Sequence, residues 1–160
     1  MIRAHAAIRR ARPGDAPALA RLRLAFRGEV EPLQEAEGTF LVRCEQWMAE
    51  RLGGADWRAW VAEAEVALVG TAWLRLVEKL PNPVAEPEWH GYVSSLYVVP
   101  AWRGAGVGSA LLGACLQECE RRMVDAIVLW PTARSRSLYL RHGFAVRDDL
   151  LERRGQRLPS

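Results

Sequence analysis

The stretch from Leu96 to Leu112, Leu-Tyr-Val-Val-Pro-Ala-Trp-Arg-Gly-Ala-Gly-Val-Gly-Ser-Ala-Leu-Leu, constrains the fold more than any other part of the chain. Tyr97, Val98 and Val99 favour a pleated, buried strand. Pro100 has no N–H for a ladder and closes that strand. Gly104, Gly106 and Gly108 let the backbone approach a ligand without a side chain in the way. From Val107 the apolar residues recur at helical spacing to Met123, with Leu111, Cys115, Leu116 and Cys119 in the stripe. The first N–H groups of such a helix have no partner inside it, and its aligned peptide dipoles make that end positive. A bare, glycine-lined helix start is therefore suited to phosphate, with Arg103 placed to add a charge-assisted contact. Taken alone, the turn also serves as a tight connection that binds nothing.

Two nucleotide motifs fit poorly. A P-loop needs Lys followed by Ser or Thr after its last glycine, and no lysine follows Gly106 here. A dinucleotide fingerprint needs an acidic residue about twenty positions on, beyond the next strand. Asp125 lies near that distance but before the strand.

The pattern Arg103-x-x-Gly106-x-Gly108 follows a strand ending Leu-Tyr-Val-Val-Pro, and Ser137-Leu138-Tyr139-Leu140-Arg141-His142-Gly143-Phe144 lies downstream. The two together resemble the GNAT superfamily of acyl-CoA-dependent N-acyltransferases. The resemblance is close over about residues 90–147 and rests on element order alone over residues 6–80. It implies an α+β fold: a mixed, mostly antiparallel twisted sheet of six or seven strands, helices on both faces, and a central β-α-β unit that binds CoA. It also implies acetyl-CoA as cosubstrate, no metal, a small-molecule amine acceptor and a possible homodimer.

Site residues follow from the same resemblance. The backbone of Leu96, Tyr97 and Val98 would pair with the pantetheine arm in a gap between splayed strands. The pyrophosphate would lie on backbone N–H groups from Arg103 through Gly104, Ala105, Gly106, Val107 and Gly108 to Ser109. A backbone N–H near Val98 would hold the oxyanion, and Tyr139 would assist the leaving thiolate. Thr132 stands where many members carry Asn, and its hydroxyl offers a pantetheine amide fewer groups. The residues from Gly91 to Val99 include no carboxylate or histidine, so no general base is assigned. Glu29 and Glu31, read as part of the connection between the first two helices, are expected acceptor contacts, and His90 is a weaker candidate. A non-catalytic acyl-CoA-binding sensor with the same fold is the competing reading.

The rest of the chain bounds these expectations. Its 160 residues suit a single domain, residues 1–160. Half of the residues are hydrophobic and 26% charged, the composition of an ordinary globular chain. No apolar run approaches the roughly 18 residues of a membrane span. Met1 to His5 holds no apolar core of signal-peptide length, so a cytoplasmic protein is expected. A net charge of +3 is modest. The arginine groups Arg9/Arg10/Arg12, Arg134/Arg136/Arg141 and Arg153/Arg154/Arg157 read as solvated surface, without the interleaved aromatics of a nucleic-acid face. One of them could meet the 3′-phosphate of CoA. Three cysteines, Cys44, Cys115 and Cys119, argue against a disulfide framework.

In order, strands are expected at Ala6 to Arg12, Trp57 to Glu63, Leu68 to Lys79, Tyr92 to Val99, Ala126 to Trp130 and from Phe144 to Arg147. The Ala126–Trp130 segment, all apolar, reads as buried on both faces. Helices are expected from Asp15 to about Arg27-Gly28, from a Thr39 cap to Gly53-Gly54, from Gly106 to about Met123, and from Ser135 or Ser137 to Gly143. The tail after Gly155 is expected to fray.

Overall fold

A computed structural model describes residues 5–155 of the chain. The expectations for Met1 to Ala4, for Arg157 and for the rest of the tail after Gly155 lie outside the described residues. The chain divides into two compact units, one running to Trp130 and one starting at Pro131.

The first unit is built on five strands in the order of the chain: β1 (Ala7–Arg10), β2 (Trp57–Ala64), β3 (Ala67–Glu78), β4 (Trp89–Val98) and β5 (Val124–Val128). The first four run antiparallel to their neighbours, and β5 joins β4 in parallel. That parallel step requires a crossover, and the helix α3 (Val107–Arg121) provides it. The middle strand is β3 rather than β4; its residues Val69 to Leu74 are buried.

Alternation along the strands divides the core into two layers. On one face, α1 (Ala16–Val30) and α2 (Glu37–Leu52) cover Ala59, Val61, Trp73 and Tyr97 with Leu19, Leu22 and Met48. On the other face, α3 lays Leu111, Leu112, Cys115 and Cys119 against the sheet; a Cβ added at Gly91 would meet Cys119 and Leu74. Helices therefore cover both faces, as the resemblance implies.

The strand count is five, not six or seven, among the described residues. Residues 144–147 form no strand. Arg147 folds back onto Asp149 two residues on, a local pairing that needs no ladder, and Val146 is exposed. The expected double burial of 126–130 is also overturned: β5 ends at Val128 and is a sheet edge, with Asp125 and Ala126 exposed. The first helix runs past Gly28 to Val30, so Glu29 lies in its last turn and Glu31 caps it, its N–H donating to the Arg27 carbonyl. The second helix starts at Glu37, placing Thr39 inside it rather than at its cap. Asp15 precedes α1 as expected, but its carboxylate accepts from Arg9 and from the Arg12 N–H instead of capping the helix.

The second unit holds one short helix, α4 (Arg136–Arg141), ended by Gly143 at φ 85°. A glycine is the natural residue there.

Candidate active site

β4 carries the geometry on which the site depends. Its pairing with β5 stops at Tyr92–Val128, whereas its pairing with β3 continues to Val98–Gly70. From Val93 onward the β5-facing edge of β4 therefore has no strand beside it. An open strand edge of this kind accepts an extended, amide-bearing partner. Between Thr71–Tyr97 and Trp73–Ser94 the register shifts, with two β4 residues, Ser95 and Leu96, against the single Ala72 of β3, so β4 bulges there. Ser95 takes φ 53°, a left-handed conformation that costs a non-glycine residue about 1 kcal/mol or more. Bulges of this kind re-aim backbone groups next to sites. Leu96 ends the bulge, and Tyr97 and Val98 follow it on that open edge.

The chain then makes one 3-10 turn, Pro100–Trp102, and enters the glycine turn. Gly104 (φ 73°) and Gly106 (φ 81°) both adopt left-handed backbone, which explains glycine at these two positions. Gly106 is the N-cap of α3, and a Cβ there would meet nothing within 4 Å, so the conformation rather than space selects glycine. The helical ladder opens with the Ala110 N–H donating to the Gly106 carbonyl at 3.0 Å. The first N–H groups of a helix have no acceptor within it and sit at its positive end. The strand edge and the helix start are thus adjacent in one continuous segment, and both fit the amides and pyrophosphate of acetyl-CoA. When bound, acetyl-CoA supplies the acyl thioester.

Arg103 behaves differently from the expectation of a phosphate contact. Its Nε donates to the Val98 carbonyl at 2.8 Å, and its Nη2 reaches both oxygens of Glu29 at 2.8 Å. The guanidinium also lies 5.5 Å from the Tyr97 ring centroid, and Tyr97 Oη donates to Glu29 at 2.8 Å. Phe26 stacks on that ring at 5.5 Å. Glu29 thus ties the end of α1 to the end of β4. Glu31 pairs with Arg27 on α1 itself. His90 is on β4 opposite Ala126 of β5, at the paired end of the strand.

A cleft of about 330 Å³ opens beside the bulge, between α1 and α2 on one side and the sheet on the other. Trp47, Trp57, Trp73 and Tyr92 form an aromatic wall, with Trp47–Trp57 at 5.4 Å and Trp57–Tyr92 at 6.5 Å between ring centroids. Arg23, Arg43, Ser94 and Ser95 supply its polar groups; Glu29 and Glu31 are not in the lining. Arg23 went unnoticed in the sequence. A signal was present: it lies four residues after Leu19 and three before Phe26, at the border of the apolar stripe of α1. What no local pattern reveals is its reach to Ser95, 72 positions away, at 3.3 Å.

In the second unit, Thr132 and Ser135 cap each other. The Thr132 N–H donates to Ser135 Oγ at 3.0 Å, the two hydroxyls lie 2.9 Å apart, and the Ser135 N–H reaches Thr132 Oγ1 at 3.3 Å. Tyr139 is buried, its ring edge-on to Phe144 at 5.7 Å. Cys115 and Cys119 are buried and unbridged, and burial raises both thiols, Cys119 to about 11. They behave as small apolar side chains.

The family profile described as Acetyltransferase (GNAT) family matches residues 22–144. The chain belongs to the GNAT family of acetyltransferases. Like other GNAT members it is an acetyl-CoA-dependent N-acetyltransferase. It is 37% identical over 115 residues to an aminoglycoside N(6')-acetyltransferase type 1 of Stenotrophomonas maltophilia, a match spanning 71% of this chain and 67% of that one. The GNAT fold is equally clear in solved structures. A GCN5-related N-acetyltransferase from Ralstonia eutropha JMP134 superposes with a TM-score of 0.77 at 25% identity, over 92% of this chain and 97% of that one. A predicted acetyltransferase from Clostridium acetobutylicum, solved with acetyl-CoA, superposes with a TM-score of 0.75 at 22% identity, over 93% of this chain and 96% of that one. No helix among the described residues is long and apolar enough to cross a membrane.

Proposed function

We propose that this GNAT enzyme transfers acetyl to the primary amine of a small molecule, with Tyr139 giving its proton to the departing sulfur. The observation that carries the reading is the end of the β4–β5 pairing at Tyr92, beyond which β4 runs on into a helix start that follows two left-handed glycines. Leu96, Tyr97 and Val98 then offer backbone groups to the pantetheine arm. The N–H groups from Gly104 through Ala105, Gly106, Val107 and Gly108 to Ser109 offer theirs to the pyrophosphate. Arg103 contributes its backbone and orients the turn through Val98 and Glu29. Thr132 takes the place of the usual asparagine toward the pantetheine. The family profile runs through both compact units, which supports reading residues 1–160 as one working domain.

The acceptor amine must be neutral to attack, so a proton has to leave it through a base or water. Small-molecule transfer is supported by the curated relative, whose name describes an aminoglycoside acceptor. The cleft between α1, α2 and the sheet is the space offered to the acceptor.

The test is release of the CoA thiol from acetyl-CoA in the presence of an amine panel. Tyr139→Phe is expected to lower kcat by about ten- to a thousandfold, with acetyl-CoA affinity changed by no more than a few-fold. An unchanged kcat would remove Tyr139 from the chemistry.

A further inference from the structure

The charges lining the acceptor cleft do not match a polycationic acceptor. Arg23 and Arg43 are its charged side chains, and no aspartate or glutamate lines it among the described residues. The Arg43 charge is taken up by Glu35, whose carboxylate it meets at 2.5 Å outside the cleft. Among the described residues Arg23 has no such partner. Its contacts are the Ser95 hydroxyl at 3.3 Å and the Phe26 ring at 5.6 Å. Burial, and the nearby charge of Arg27, push its guanidinium below the ordinary arginine value. A half-buried arginine with two neutral contacts and no carboxylate retains unused N–H donors in a planar fork suited to an anion. An ammonium brought beside it would be desolvated and repelled.

Resting on the acetyl-transfer reading above, we propose that the acceptor is an amine that also carries an anionic group, a carboxylate or a phosphate. In this arrangement Arg23 holds the anion next to the β4 bulge. The rings of Trp47, Trp57 and Trp73 pack against an apolar or ring-shaped body. The two serines, Ser94 and Ser95, add hydroxyls that serve as donors or acceptors. The specificity of the enzyme then differs from that which its Stenotrophomonas relative's name describes, through one charged position on α1.

Binding can be read without catalysis, because three tryptophans line the cleft and report on its occupancy. Tryptophan fluorescence is followed while the intact protein is titrated with phenylalanine against 2-phenylethylamine, and with glucosamine 6-phosphate against glucosamine. Each pair contrasts an amine that carries an anionic group with a counterpart that lacks it. Kanamycin serves as the polycation. At least one anionic probe is expected to bind about tenfold or more tightly than its counterpart, and the pair that shows this distinguishes carboxylate from phosphate. In Arg23→Gln the two members of that pair should bind within about twofold of each other, with the melting temperature and the acetyl-CoA affinity retained. The proposal is overturned if the probes that lack the anionic group bind as well, if kanamycin binds best, if no probe binds, or if discrimination survives in Arg23→Gln. Thiol release measured with the same probes separates the two readings. Anion binding without acetylation would sink acetyl transfer at this cleft and leave the anion site standing. Acetylation confined to 2-phenylethylamine or kanamycin would do the reverse.

Discussion

The two faces of the sheet bury arginine in opposite ways. On the α3 face, Arg58 lies under the helix with its Nε 2.9 Å from Glu118, and the two side chains are 9% and 3% exposed. Arg121 and Arg122 close on the same carboxylate from the helix surface. Around them Leu111, Leu112 and Cys115 leave no exposed surface. On the α1–α2 face, the aromatic side chains stop short of filling the space, and Arg23 borders the void without a counter-ion. Buried charge is costly unless paired. The α3 face meets that requirement within the chain and is structural. The α1–α2 face leaves it unmet where there is room for a ligand, which is why the acceptor is proposed to bind there.

The contrast can be broken most forcefully at Arg58. Arg58→Met should destabilise the protein by about 3 kcal/mol, the lower end for breaking a buried pair, since Arg121 and Arg122 still reach Glu118. Urea unfolding measures this, and a loss under about 1 kcal/mol would mean the pair is not effectively buried.

A smaller effect follows from pH. Burial alone would raise the Glu118 carboxyl, but the hydrogen bond from Arg122 and the charges of Arg121, Arg58 and Arg10 hold it below the ordinary glutamate value. A depressed carboxyl contributes stability that is complete above the unfolded value, about 4.3, and disappears as pH falls through the lower folded value. The wild type should lose stability on acidification below about pH 4.3 more steeply than Glu118→Gln. Parallel acid profiles would show that the stability is not linked to this carboxylate.

The smallest effect is expected at Arg23. Arg23→Met removes a charge with no carboxylate partner among the described residues, so stability should change by no more than about 0.5 kcal/mol or should rise. A loss comparable to that of Arg58→Met would show that the two faces are not different in kind.

Much of this was legible in the sequence because it is local. Strand, proline stop, left-handed glycines and amphipathic helix succeed one another from Leu96 to Leu112, and each is a short-range preference. The parallel crossover follows from that order. What escaped is set by neighbours distant in sequence. An apolar run such as 126–130 looks the same at a sheet edge as between two strands, so its exposure could not be read. Gly28 resembles a helix stop, yet one glycine costs a helix only about 1 kcal/mol, and the turn beyond it is held by Glu29 on Arg103 and Tyr97. That long-range pairing ties Glu29 to the end of β4. The cleft itself is assembled from α1, α2 and three strands, and nothing in one linear sequence brings Arg23 to Ser95.

The most direct test of the account is calorimetric titration of the protein with acetyl-CoA, beside the same titration of Gly106→Asp. Asp at position 106 places a Cβ at φ 81° and a negative charge at the helix start that is assigned to the pyrophosphate. Micromolar binding by the wild type, abolished in a variant that retains its melting transition, is the predicted result. A folded wild type that takes up no acetyl-CoA, or a variant that binds it equally well, would contradict the assignment of the glycine turn.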